Sequence, residues 1–344
     1  AGMKSPFFVL LLAAALLGCD EGVTVKPEAA GAQGEVLVVM DTTYWNGDAG
    51  VAARGVLEQY FPRLPQREPH FRVAQCTPKQ FGGFLRNHRN VLLAEIGPGQ
   101  DSVVVQRQPD RYARGQVVLR VAAPNTGLWV KALQDRAGQV LSAFDDAERE
   151  RLQERLARES DQALGTSLLS QLQVEMNVPG GFRVAKQAPH FVWLRRDRIM
   201  SGSGLEHNVQ EGLLVYTYPY VSDSTFLLKP LVDMRDSVLK LHVPGPDPNT
   251  WMITQRRFEE VDLMPLAQDR EVDGAYAKEL RGLWGMHGML MGGPFISLTR
   301  VDEARGRVVT AEGYVYAPQF DKREYLRELE AVIYGLRFPE TATP

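Results

Sequence analysis

Residues Phe7 to Leu17 form an unbroken apolar run, preceded by Lys4 and closed by Gly18-Cys19. One basic residue, a short apolar core and a small residue at the cut make the layout of a secretory signal. The run is too short to cross about 30 Å of hydrocarbon as a helix. No second apolar run reaches 18 residues, so everything downstream is expected to fold around a core of its own. Ala1-Gly2 precede Met3 and take no part in this reading. The 344 residues less an 18-residue signal leave 326, enough for one large domain or two ordinary ones. Apolar residues at 44% and charged residues at 24% are a globular composition. The net charge of −3, with no basic face or Arg-aromatic alternation standing out in the sequence, argues against a nucleic-acid partner.

Leu16-Leu17-Gly18-Cys19 resembles the bacterial lipobox. That resemblance implies that Cys19 is lipidated on sulfur, becomes the first mature residue and holds the chain to a lipid bilayer. The alternative is an ordinary secretory peptide in which a cysteine falls by chance. Cys76 would then lack an intramolecular disulfide partner, so stability must come from packing, although the compartment is oxidising. Asp20 to Gly34 is small, polar and without periodicity. It reads as a flexible tether with a reach of roughly 20 Å. Asp20-Glu21 also resemble the export signal of surface lipoproteins in Bacteroidetes, with a merely solubilising tether as the alternative.

The expected organisation is a signal over 1–18, the lipidated cysteine and tether over 19–34, and a first domain over 35–144. A charged helical connector over 145–164, a second domain over 165–338 and a tail over 339–344 follow. Val36-Leu37-Val38-Val39-Met40 is a continuous apolar run, as in a buried strand central to a sheet. Gly50 to Tyr60 reads as a helix stopped by Pro62, and Thr77 caps a short helix to Leu85. Strands are expected near 71–74, 91–96, 102–106 and 116–122, before a long helix from Asn125 or Thr126 to Phe144. Asp145 to Ser160 (DDAERERLQERLARES) is helical, with Glu and Arg at i,i+3 and i,i+4, and reads as a solvated connector. Beyond it, strands are expected at 174–178, 182–185, 191–195 and 211–218, with a helix inside 226–242. A hairpin of 282–291 with 292–301 and a return strand 307–316 follow. Lys322 to Leu336 closes the chain as a helix, with Leu326, Leu329, Val332 and Ile333 on one face. The fold class is α+β: two domains with mainly antiparallel sheets flanked by helices. The second resembles the PsbP-like arrangement, a sheet sandwiched by helices.

Local metal signals are missing, because none of the six histidines lies at i,i+4 or in an HxH or HExxH pattern. No metal or cofactor is expected. Ser201-Gly202-Ser203-Gly204 lacks the strand–turn–helix context of a nucleophile elbow and reads as a hairpin tip. Cys76 reads as a packing residue rather than a nucleophile. Asp145 and Asp146 are adjacent on a helix and point apart. Asp41, just after the first strand, is the best-placed single carboxylate, though a helix cap explains it. No residue is assigned a catalytic role. Gly282 to Pro294 combines five glycines, three methionines and a tryptophan. Trp284, Met286, His287 and Met289 are the candidate lining of a binding groove. A bulged, core-packed strand is the competing reading.

GEVLVVMD (34–41), HRNVLLAEI (88–96), FVWLRR (191–196), TYPY (217–220), RDSVLK (235–240), VPGP (243–246), GGPFISLTRVDE (292–303) and EGYVYAPQFDKREYLRELEA (312–331) carry a second resemblance. Together they are similar to an uncharacterised Bacteroidetes envelope lipoprotein family, domain-of-unknown-function family 4837, over nearly the whole mature chain. The resemblance implies an envelope lipoprotein of the outer membrane, periplasmic or surface-facing, and supplies no activity. The expected function is a non-catalytic binding or accessory role toward an envelope protein partner or other envelope component. The alternatives are a small-ligand carrier and a periplasmic or surface hydrolase of cell-wall or glycan substrates. Clustering of Asp41, His88, Glu95 or His287 in one cleft would favour the hydrolase.

Overall fold

The computed structural model describes residues 26–202 and 204–340. The expected signal peptide and Cys19 lie outside them. The first sheet begins with β1 (Glu35–Val39), followed by the short α1 (Thr42–Trp45) and α2 (Asp48–Leu57). Next come β2 (Arg72–Cys76), a 3-10 turn at Gly83–Asn87, β3 (Asn90–Ile96), β4 (Val104–Pro109) and β5 (Val117–Ala123). The order across this sheet is β2-β1-β3-β5-β4. β1 lies between β2 and β3, both parallel to it, and β3 pairs parallel with β5; only β4 is antiparallel. Antiparallel pairing, expected for both domains, is therefore confined here to one edge. The physical reason was visible in Val36–Met40: a strand covered on both faces carries apolar residues without alternation, as parallel strands do.

One face of this sheet packs Val36, Val38, Leu92 and Val121 against α2 and two further helices, α3 (Thr126–Asp135) and α4 (Ala137–Glu159). The other face buries Leu37, Val39, Val91 and Val118 with Cys76 and Phe81. The helix expected from 125 to 144 is broken at Arg136, where the backbone leaves helical geometry (φ −115°, ψ 19°). The 23-residue α4 then runs straight through the charged segment.

The second half opens with α5 (Gln162–Leu172), capped by the Asp161 carboxylate. β6 (Arg183–Ala188), β7 (Phe191–Gly202) and β8 (Leu205–Pro219) follow, then α6 (Leu228–His242) and β9 (Trp251–Gln255). A two-residue ladder of β10 (Arg257–Phe258) and β11 (Val261–Asp262) precedes β12 (Leu266–Val272). β13 (Ala275–His287), β14 (Met289–Asp302), β15 (Arg307–Tyr316) and α7 (Arg323–Tyr334) complete the chain. The sheet order is β12-β13-β14-β15-β8-β7-β6, antiparallel throughout, with β9 pairing β13 from the side. Residues 174–178 contribute only a bridge at Glu175, not the expected strand.

Helices cover both faces of this sheet. α5 and α7 bury Leu168, Leu329 and Ile333 against Val215, Ile296 and Ala311. α6 buries Val232 and Leu239 against Leu214, Phe295 and Tyr314. The approach of α7 is set by Gly313, since a Cβ there would lie 2.6 Å from the Leu329 Cβ. The α+β class and the helix-flanked antiparallel sheet expected for the second half are what the chain adopts.

The charged segment is not a solvated connector. Phe144, Ala147, Leu152 and Leu156 of α4 are buried, and α4 packs along α7. The expected tether is also shorter than the sequence implied. Residues 26–34 are docked on the first sheet: Arg114 and Ala29 exchange backbone hydrogen bonds with Pro27 and Arg114 at 2.8 and 2.9 Å. Ala30 and Arg89 continue the pairing, through Ala30 N–H to Asn87 O at 2.7 Å and Arg89 N–H to Ala30 O at 2.8 Å.

Candidate functional site

The structure distributes the candidate chemical groups rather than gathering them. Asp41 caps α1, accepting the Thr43 N–H at 2.9 Å. His88 pairs with Glu35 at 2.9 Å through Nε2, and its Nδ1 meets the Asn90 carbonyl at 3.0 Å. Glu95 accepts two hydrogen bonds from Arg120, at 2.9 and 2.6 Å. His88 and Glu95 flank β3 at opposite ends, roughly 20 Å apart at the rise of an extended strand. His287 belongs to the second sheet, where it stacks on Trp251 at 4.0 Å. The cleft that a hydrolase would need is not assembled from these groups. Among the described residues, no three His, Cys, Asp or Glu side chains are grouped as metal ligands. Cys76 is buried, and burial pushes its thiol pKa up, away from nucleophilic reactivity.

At the Gly/Met-rich stretch the chain adopts the bulged, core-packed strand, and the candidate groove is filled by packed core. Trp284 is 2% exposed, donates its Nε1–H to the Val315 carbonyl at 3.2 Å, and meets Tyr314 edge-on at 5.4 Å. Met286 is 9% exposed, and half-buried Met289 packs against the same cluster. Strand alternation explains this placement: Trp284 and Met286 share the face toward α6, while His287 points the other way and is exposed. Met289 sits directly opposite Met286 in the register and joins that face. The hairpin tip falls at His287-Gly288, not between Met291 and Gly292.

Sequence reasoning missed the most concentrated polar assembly, the seam between the halves. Asp145 of α4 meets His70 Nε2 at 2.7 Å and Arg327 of α7 at 3.0 Å. Arg327 also donates to the His70 carbonyl at 2.9 Å and lies over the Phe71 ring at 4.5 Å. Burial alone would raise the Asp145 pKa, but the His70 and Arg327 charges outweigh it and hold the carboxyl below its ordinary range. One turn on, Arg149 meets Glu330 of α7 at 2.9 Å, and Glu330 meets Arg281 of β13 at 2.8 Å. Arg281 also pairs with Glu279 at 2.8 Å, and Glu279 accepts the Tyr334 hydroxyl. Glu279 is 1% exposed. Burial opposes its ionisation, yet Arg281 and Arg270 depress its carboxyl pKa strongly.

A second device crosses the same seam. Buried Glu68 of the first half accepts the first two N–H groups of α7, from Lys322 at 2.7 Å and Arg323 at 2.9 Å. α7 has no capping side chain of its own at Lys322. Glu68 therefore supplies, from the other domain, both the acceptor and the negative charge that a helix N-terminus favours. The signal in the sequence was the spacing of Asp145, Arg149, Leu152 and Leu156, which share one helix face. Each charge in the seam is matched by an opposite charge, so the assembly holds two surfaces in register rather than offering a free base or nucleophile.

Elsewhere, α2 and α3 leave an apolar groove of about 470 Å³ lined by Val51, Ala52, Val56, Val130 and Ala137, with Asp48, Gln59 and Gln134 among its polar residues. It carries no histidine or paired carboxylates. No helix of the described residues is long and apolar enough to cross a membrane.

No curated protein matches the chain. Among solved structures, the Ran-binding protein Mog1p of Saccharomyces cerevisiae is similar at 13% identity, over 48% of this chain and 90% of its own, with a TM-score of 0.29. LpqN of Mycobacterium tuberculosis, described as involved in cell envelope biogenesis, is similar at 13% identity over 46% of this chain and 79% of its own, TM-score 0.27. A protein from Bacteroides thetaiotaomicron is similar at 9% identity over 50% of this chain and 47% of its own, TM-score 0.20. Likeness at these scores carries no argument about this chain. Residues 29–157 match a family described as Domain of unknown function (DUF8532), so the blocks at 34–41 and 88–96 lie outside the family that the whole chain was expected to resemble. The division between the two matches falls at the end of α4. Matched over residues 161–335, half of its length, the chain belongs to the family described as Domain of unknown function (DUF4837).

Proposed function

We propose that this protein is an envelope lipoprotein, held at a membrane by acyl chains on Cys19, that acts by binding an envelope component rather than by catalysis. One observation carries the binding half of this reading: the groups that hydrolysis would require are separated and individually satisfied. His88 is committed to Glu35, Glu95 to Arg120 and Asp41 to the α1 cap. Pairs held this far apart in the fold do not converge on one cleft where a substrate could meet an acid and a base together. The anchoring half rests on the apolar run and Leu16-Leu17-Gly18-Cys19.

Mass spectrometry of the N-terminal peptide from detergent-extracted protein tests the anchor. The expected product starts at Cys19 and carries a diacylglyceryl mass on sulfur. An unmodified cysteine, or a mature chain starting elsewhere, overturns it. Incubation with peptidoglycan and glycan substrates tests the other half. Turnover that is lost in Glu95→Gln or His88→Gln, with the fold retained, overturns a purely binding role.

A further inference from the structure

Docking of the N-terminal segment fixes which face of the first domain meets the membrane, if Cys19 is the anchor. This inference rests on that reading. Only residues 20–25 separate Cys19 from Lys26, the first described residue. Seven Cα steps span at most about 25 Å when fully extended. A tether free up to Glu35 would have reached roughly twice as far and left orientation open. Docking is built in rather than incidental. Gly31, at φ +105°, lies so close over His88 that a Cβ would be 2.8 Å from its Nε2. The Lys26 ammonium donates to the Asp110 carbonyl at 2.6 Å, and Arg114 pairs with Glu28.

The surface around that landing point gathers exposed cations. Lys26, Arg86, Arg111 and Arg114 are all exposed, against the carboxylates of Glu28 and Asp110. Arg151 and Glu154 of α4 flank Arg114 and cancel each other. The face is thus net positive on a chain whose net charge is −3. Its cations surround aromatic side chains: the Arg86 and Arg111 guanidinium groups lie 5.5 and 5.0 Å from the centre of the Tyr112 ring. Phe84 stands 73% exposed, two residues from Arg86. Cations interleaved with exposed aromatic rings suit the headgroup layer, where rings lie among the glycerol groups and cations meet lipid phosphates. Such a face also supplies the second membrane signal that stabilises a lipid anchor.

We propose that the face formed by Lys26, Phe84, Arg86, Arg111, Tyr112 and Arg114 rests on the anionic phospholipid surface into which acylated Cys19 inserts.

The test uses the full acylated chain in vesicles of phosphatidylethanolamine and phosphatidylglycerol. A nitroxide is placed at Phe84→Cys or, for reference, at Leu290→Cys on the exposed β13–β14 tip. Collision with oxygen, which partitions into lipid, is compared with collision with a water-soluble nickel chelate. The expected oxygen-to-nickel ratio at 84 is several-fold higher than at 290. In Arg86→Glu/Arg111→Glu it falls to the value at 290, with acyl labelling and circular dichroism unchanged. Equal ratios at 84 and 290 in a chain that does carry acyl label overturn the orientation and leave the anchor standing. A chain without acyl label overturns the anchor, and this inference with it.

Discussion

Arg235 and Glu312 show how a single pair organises the second domain. Both are essentially buried, at 1% and 0% exposure, and joined by two hydrogen bonds of 2.7 and 2.6 Å. Arg235 also donates to Thr254 at 2.7 Å and lies 3.7 Å from the Phe295 ring centre. Burial raises the Glu312 carboxyl pKa, and Arg235 pulls it back only in part. Arg235→Met should therefore cost about 3–5 kcal/mol at neutral pH, because it leaves a buried carboxylate uncompensated. Its sign with pH is fixed. A carboxyl whose folded pKa is raised binds its proton more tightly in the folded state, so the variant loses stability as pH rises through that pKa. The double variant Arg235→Met/Glu312→Leu should recover most of the loss. Urea melts of both variants at pH 5 and pH 8 check this; a single variant with a flat pH response contradicts it. Trp284→Ala should cost about 3–5 kcal/mol by the same melts, since Trp284 is core and not groove.

Among the elements, α7 and α4 decide whether the two halves behave as one body. Glu68→Ala removes both acceptors at the N-terminus of α7 and should cost about 1–2 kcal/mol. Faster hydrogen exchange at Lys322 and Arg323 is the specific sign, because a general loss of packing would not single out those amides. Asp145 gives the seam its acid response. Its folded pKa is depressed, so its stabilisation is complete above the ordinary carboxylate pKa of about 3.9 and fades as pH falls below that. Asp145→Asn should lower stability at pH 7 and flatten acid unfolding below pH ~4, read by circular dichroism. An unchanged acid limb would mean that other carboxylates, Glu279 among them, carry the transition. These contacts also mark the limit of sequence reading. The apolar run of β1 and the apolar spacing of α2 and α7 were legible, because such patterns follow local geometry, whereas the buried face of α4 was masked by its Glu/Arg content. Parallel pairing in the first sheet was carried by the unalternating Val36–Met40 run, but composition alone did not enforce it. Contacts such as Glu68 with Lys322 or Asp145 with Arg327 join residues 254 and 182 positions apart, and no local pattern encodes such a pairing. At the Gly/Met-rich stretch the residues were singled out correctly, but their glycines and methionines served close packing rather than a ligand.

Across the whole molecule, a charged seam locks two sheets together, and one basic-aromatic face lies beside the segment that leads to the proposed anchor at Cys19. The central claim is that acyl chains on Cys19 are what hold the protein at the membrane through a carbonate wash. The direct measurement is fractionation of cells expressing the full chain or the chain from Asp20 exported behind an ordinary cleaved signal, with carbonate-washed membranes separated from soluble material. Each buried methylene contributes about 0.8 kcal/mol, and two or more acyl chains make retention effectively stable. The basic-aromatic face, without the acyl chains, should not survive carbonate, because its attraction is electrostatic and screened. The unsubstituted chain is expected to stay with washed membranes, and the chain starting at Asp20 to appear in the soluble fraction with an unchanged circular dichroism spectrum. A folded chain starting at Asp20 that remains in the washed membranes would contradict the anchor.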